Sequence, residues 1–191
     1  MSIELIPTDI VGCFELQPRV LTDARGDFVK TFHQDWFQEH GLRTDWVEQY
    51  YTKSRKGVLR GLHFQLPPHD HAKLVYCTAG EVMDVALDLR KGSPSFGRHV
   101  CLTLRAASGN LMYLASGLAH GFYTLSDSAT MVYNVTSVYS PACDSGIRWD
   151  SAGIAWPDQA PTLSERDQGF VGLGSFDSPF RFVPAVAHPE R

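Results

Sequence analysis

Cysteine is scarce and unpatterned in this chain. Cys13, Cys77, Cys101 and Cys143 show no Cys-x-x-Cys spacing, which argues against a zinc ribbon or a redox pair and leaves four free thiols as the simpler expectation. Basic residues are equally unclustered: no run of Lys and Arg is long enough to track a phosphate backbone. With a formal net charge of -4, nothing electrostatic points to nucleic acid as a partner. No apolar stretch approaches the ~20 residues of a membrane span, and the opening residues 1–7 have neither the basic nor the apolar part of a signal peptide. A cytoplasmic location without a membrane partner is therefore expected. Internal repeats, low-complexity tracts and linkers are also missing.

What remains is ordinary globular material. Hydrophobic residues make up 43% and charged residues 20% of the 191, a balance that argues against disorder. A chain of this length reads as one domain, 1–191, able to bury about 70% of its unfolded surface. Gly, Pro and Ser accumulate after Gly169, so 169–191 is expected to be an extended C-terminal tail.

Short β-rich segments follow one another between turn residues. Val11–Leu21 and Phe28–Phe32 flank the turn Asp23-Ala24-Arg25-Gly26-Asp27 in hairpin order. Residues 34–39 form the one clear helical piece of the first half, with Trp36 and Phe37 on its apolar side. Further strands are expected at 46–52, 58–64, 74–78, 82–89, 100–104, 111–114, 121–125 and 130–138. The pattern predicts an all-β sandwich or jelly roll with a few short helices. Within 82–89, Met83, Val85, Leu87 and Leu89 give an apolar face, while Val82, Asp84, Ala86 and Asp88 give a mixed face able to line a cavity.

The densest chemistry lies between Gly57 and Lys73. Strict alternation from Val58 places Arg60, Leu62 and Phe64 on one face and Gly61, His63 and Gln65 on the other. The Arg60-Gly61-Leu62-His63 run, Lys73, the Gly117–Phe122 segment, Tyr133, Gly146-Ile147-Arg148-Trp149 and Ser164-Glu165-Arg166-Asp167 together resemble the nucleotide-sugar 3,5-epimerases, over about Asp23 to Asp167. The resemblance implies a cupin-type jelly roll, a homodimer, a nucleotide diphosphate sugar as substrate, and inversion of C3 and/or C5 of a 4-keto sugar with no metal or nicotinamide cofactor.

The same resemblance assigns roles. His63 matches the catalytic base, and an imidazole with an unperturbed pKa of about 6.5 suits proton removal near neutral pH. Asp167 matches its carboxylate partner, although Ser164-Glu165-Arg166-Asp167 also reads as a helix-capping pattern. Tyr133 matches the general acid, and Lys73 a cation for the developing enolate. Arg60, whose planar fork suits paired phosphate oxygens, matches a diphosphate ligand. Arg25, His120, Tyr139, Asp144 and Arg166 match or lie near substrate-contacting positions. Without the resemblance, Tyr133 reads as a packed sheet aromatic, His120 as a core histidine, and Arg25 and Lys73 as surface cations.

Some substrate positions depart from the family pattern. Lys30 stands where a glutamate is usual, Glu48 and Tyr50 replace a glutamine and an asparagine, and Ala115-Ser116 replaces a proline pair. These departures predict a retained reaction on an altered substrate. Two other classes compete: a non-catalytic cupin-like sugar-binding protein, and a metal-dependent cupin using His69, His71 and His120. After His71 the place where a metal cupin needs an acid holds Leu74, Val75 and Tyr76, so metal binding is not expected, and His69 and His71 are expected to face solvent.

Overall fold

The structure is a computed structural model, and it describes residues 3–184. In chain order its elements are β1 (Ile3–Pro7), β2 (Cys13–Pro18), β3 (Val20–Asp23), β4 (Gly26–Val29), α1 (Gln34–Glu39), β5 (Glu48–Arg55), β6 (Leu59–Gln65) and β7 (Lys73–Ala79). There follow β8 (Glu81–Asp88), β9 (His99–Arg105), β10 (Leu111–Leu114), β11 (Leu118–Thr124), β12 (Ser128–Val135), β13 (Asp144–Gly146), α2 (Glu165–Gln168) and a 3₁₀ turn at Leu173–Ser175.

Two antiparallel sheets face each other as a jelly-roll sandwich. One has the order β1-β2-β10-β7-β12-β5 and the other β13-β6-β11-β8-β9, while β3 and β4 form a separate hairpin. The expected strands are present with their ends moved by a few residues, except that the one expected over Val11–Leu21 is broken into β2, in the six-stranded sheet, and β3, in the hairpin. β1 and β13 were not anticipated: the first is a short edge strand, and the second is only three residues long, below the length at which alternation is readable.

The middle of each sheet is covered on its outer side as well, so β6, β7, β8, β10 and β11 are largely buried on both faces, whereas β5 and β9, at sheet edges, are mostly exposed or half-buried. Between the sheets, Val82, Ala86, Leu104, Leu118 and Phe122 meet Val75, Cys77, Met112, Leu114 and Met131. Outside the five-stranded sheet, the apolar face of β8 (Val85, Leu87) packs with Leu62, Phe64, Ile147 and Phe180. Phe176 also packs there, so the described part of 169–191 carries aromatics onto the sheet; residues 185–191 lie outside the described residues.

Outside the six-stranded sheet, α1 inserts Phe37 among Leu16, Leu74, Leu111 and Tyr113. Its first turn is capped by His33, whose Nδ1 accepts from Trp36 N–H, and it stops before Gly41 at φ +68°, a left-handed position favouring glycine. Fully burying Phe37 contributes about 1.5–3 kcal/mol.

Candidate active site

β12 and β7 are apolar on their inward faces at one end and polar at the other. β12 passes from Ala129 and Met131 to Tyr133, and β7 from Cys77 and Val75 to Lys73. The polar ends converge around a cavity of about 350 Å³. Glu48, Tyr50 and Thr52 of β5 line it together with Arg60, His63 and Gln65 of β6, and with Lys73, His120, Phe122 and Tyr133.

Arg60 and His63 could not share a face under strict alternation, yet both line the cavity. The cause is a bulge: β6 pairs Arg60 with Phe122 and His63 with His120, so two residues, Gly61 and Leu62, stand opposite Gly121 alone. Gly61 has φ +138°, and a Cβ there would lie 2.6 Å from Gly121 Cα. The two strands approach too closely for any side chain at that point. The extra residue turns Leu62 outward and brings arginine and histidine to the same side.

His63 is held by Asp167, whose Oδ1 lies 2.8 Å from its Nε2. The other oxygen of Asp167 accepts from the N–H of Gly61 at 3.0 Å. Asp167 thus binds the bulge as well as the base. It sits at the third position of α2, where its own N–H donates to Ser164 Oγ at 3.1 Å, so the capping pattern and the dyad coexist. Burial pushes its carboxyl up, but the His63 hydrogen bond and the Gly61 donor outweigh that and bring it down to about 2. Burial pulls the His63 imidazole below its ordinary value, against the opposing effect of Asp167. At neutral pH the imidazole is neutral. Donation of Nε2–H to the carboxylate leaves the lone pair on Nδ1.

Tyr133 stands on the other sheet. It is 5% exposed, stacked on Tyr50 with ring centroids 4.8 Å apart and planes at 14°, and its hydroxyl lies 3.4 Å from Thr52 Oγ1. Burial raises its pKa well above the ordinary phenol value, so it is fully protonated and holds a proton to give. Lys73, from the same sheet, reaches across to donate to the backbone carbonyl of His63 at 3.0 Å. Burial lowers its ammonium to about 8, with Asp144 and Asp84 opposing.

His120 forms a second dyad, with Nε2 2.7 Å from Asp84 Oδ1 and both groups buried. Asp84 was not among the expected site residues, although it lay on the mixed face of β8 that was read as able to line a cavity. Its other carboxylate oxygen is buried with no hydrogen-bond partner among the described residues, and burial raises its pKa. The expectation that His71 faces solvent is corrected: it lines the cavity, its Nδ1 accepts from Gln65 Nε2 at 3.1 Å, and burial first, then Lys73, lowers its pKa to about 3. Among the described residues no group of three or more His, Cys, Asp or Glu is placed to hold a metal ion.

At the rim, Arg166 donates to Asp144 at 2.6 Å and lies over the Phe170 ring, whose edge meets His63. Arg60 donates to Ser54 Oγ at 3.0 Å. Glu48 accepts from the N–H of Tyr139 at 2.8 Å. Arg25 and Lys30 are not brought to this cavity within one chain. The Arg25 side chain is 90% exposed and paired with Asp23 on the β3–β4 hairpin, and Lys30 lines a separate groove with His33, Asp35 and Glu39.

The chain has relatives among known proteins. The family model for dTDP-4-dehydrorhamnose 3,5-epimerase matches residues 7–174. The chain is 44% identical to the dTDP-4-dehydrorhamnose 3,5-epimerase of Shigella flexneri over 91% of this chain and 99% of that one. It is 38% identical to the dTDP-4-dehydrorhamnose 3-epimerase of Streptomyces niveus, covering 87% and 82%. Among solved structures, the dTDP-6-deoxy-D-glucose-3,5-epimerase of Legionella pneumophila in complex with dTDP-4-keto-L-rhamnose superposes with a TM-score of 0.91 at 34% identity, covering 95% of this chain and 100% of that one.

Proposed function

Because the chain belongs to the dTDP-4-dehydrorhamnose 3,5-epimerase family and is an epimerase of a nucleotide-linked 4-keto-6-deoxy sugar, we propose that His63 removes the proton and Tyr133 returns one from the opposite side. The observation that supports this most directly is that the two groups project into one cavity from opposite sheets, His63 from β6 and Tyr133 from β12.

The 4-keto group makes the hydrogens on its neighbouring carbons acidic, because the carbanion delocalises onto oxygen. His63, neutral and oriented by Asp167, takes a proton through Nδ1 and becomes imidazolium, which the Asp167 carboxylate steadies. Lys73 supplies a cation for the enolate oxygen, a contribution of about 3–4 kcal/mol for a preorganised donor. Tyr133 gives its phenolic proton to the other face of the carbon, and solvent reloads the phenolate as the imidazolium discharges. Arg60, Arg166 and His120 serve as substrate ligands, with Arg60 on the diphosphate. Wild-type protein in heavy water should exchange solvent deuterium into dTDP-4-keto-6-deoxyglucose, and His63→Ala should not. Undiminished exchange by His63→Ala removes the base from this scheme.

The bound molecule is a nucleotide diphosphate sugar of the kind the relatives take. Glu48 and Tyr50 line the cavity where the pattern departs from the family, and this supports a substrate altered in base or sugar. Equal turnover of dTDP-4-keto-6-deoxyglucose and every other activated sugar in a panel contradicts that part.

Residues 1–191 act as one domain, and the working species is a homodimer. Leu21 and Phe28 are 43% and 56% exposed on the hairpin that carries Arg25, apolar surface that a second copy would cover while bringing Arg25 to its substrate. Sedimentation as a monomer contradicts this. The cytoplasm is the compartment we assign, supported by four free cysteines, one of them exposed, a state kept in reducing surroundings.

A further inference from the structure

We infer that Tyr50 confines the phenol of Tyr133 to one of the two carbons beside the sugar's carbonyl, so that this chain inverts one centre in preference to the other. The inference rests on the reading of Tyr133 as the acid. Family membership leaves the point open, since the chain resembles both a 3,5-epimerase and a 3-epimerase.

Tyr50 and Thr52 lie on the inward face of β5, in the cavity wall. Tyr50 and Tyr133 are direct cross-strand partners in the β5–β12 register, which is why their rings lie flat on each other at 4.8 Å and 14°. Two residues along the same face, Thr52 meets the phenol hydroxyl at 3.4 Å. On another side the His120 ring closes edge-on, with centroids 5.8 Å apart and planes at 75°, and His120 is itself fixed by Asp84. The ring is therefore limited by an aromatic face, an aromatic edge and a hydroxyl partner. Cross-strand aromatic pairs of this kind stabilise one another and so bias a side chain toward one position.

A phenol serving both centres must deliver its proton to two carbons separated by the carbonyl carbon. A misplacement of about 1 Å costs on the order of 10²-fold in rate, and two carbon–carbon bonds exceed that distance. At the favoured carbon the C–H bond breaks, its proton goes to His63 and its electron pair to the carbonyl oxygen. The pair then forms a new C–H bond with the Tyr133 proton on the other face. At the second carbon His63 can still exchange protons, but the held phenol completes the inversion more slowly.

The test is the ratio of inversion at the two carbons, read by NMR and mass spectrometry of product formed in heavy water. Wild-type protein should give one inverted, deuterated centre at least about tenfold faster than the other. Tyr50→Ala should raise the slower inversion relative to the faster by about tenfold, and Tyr50→Phe, which keeps the ring, should preserve the wild-type ratio. Tyr50→Leu provides the same comparison if the alanine variant does not fold. Inversion of both centres at similar rates by the wild type, or an unchanged ratio in Tyr50→Ala and Tyr50→Leu, overturns the inference while leaving Tyr133 as the acid. Undiminished inversion by Tyr133→Phe overturns the acid assignment and the inference with it.

Discussion

Asp167 and Gly61 are joined by a hydrogen bond of 3.0 Å, so the carboxylate that orients the base also holds the bulge that aims it. Asp167→Asn keeps the shape but loses the charge that steadies the imidazolium. Turnover should fall about 10² to 10⁴-fold, and leaving one partner of Asp167 unsatisfied should cost about 1–3 kcal/mol of stability. Steady-state kinetics and urea denaturation check both. A variant with normal turnover excludes the dyad.

The pH profile should be a plateau with limbs on both sides. Burial holds the folded pKa of His63 below 6.5, and the base works only when neutral. The acid limb should therefore have its midpoint below pH 6.5, with activity lost as pH falls through it. Lys73 is brought down to about 8 by burial, and it works only when charged, so activity should decline as pH rises through about 8. Lys73→Met should be slower throughout and lack the alkaline limb. An alkaline limb unchanged in that variant assigns it to another group.

Gly61→Ala should fail at the level of the fold. The added Cβ would meet Gly121 at 2.6 Å on a backbone at φ +138°. The conformational cost alone is about 1–3 kcal/mol, before the strands move apart. Denaturant unfolding of this variant should show that loss or more, and a variant as stable as the wild type contradicts the close packing at the bulge.

Most strands were legible because turn residues and apolar runs mark them, and α1 because Trp36 and Phe37 give it an apolar side ahead of Gly41. The bulge was not, since a period-two reading has no place for an extra residue, and it put Arg60 and His63 on opposite faces. His71 was misread for a related reason: a histidine in a Pro-rich loop gives no local sign that the loop folds back over the sheet. Asp84 carried a signal, a carboxylate on the mixed face of an apolar strand, but its partner His120 lies 36 residues away and pairs with it only through the β8–β11 register. The separation of Arg25 and Lys30 from the cavity was invisible because residue type does not report which side of a hairpin meets the site.

The central claim is that acid and base act on the sugar from opposite faces. Its most direct test is Tyr133→Phe incubated with a 4-keto-6-deoxy sugar nucleotide in heavy water. The account predicts deuterium washing into the substrate at carbons beside the carbonyl while the original configuration is retained, since His63 can both remove and return a proton on its own side. Inversion at the wild-type rate by this variant, or loss of exchange together with inversion, contradicts it.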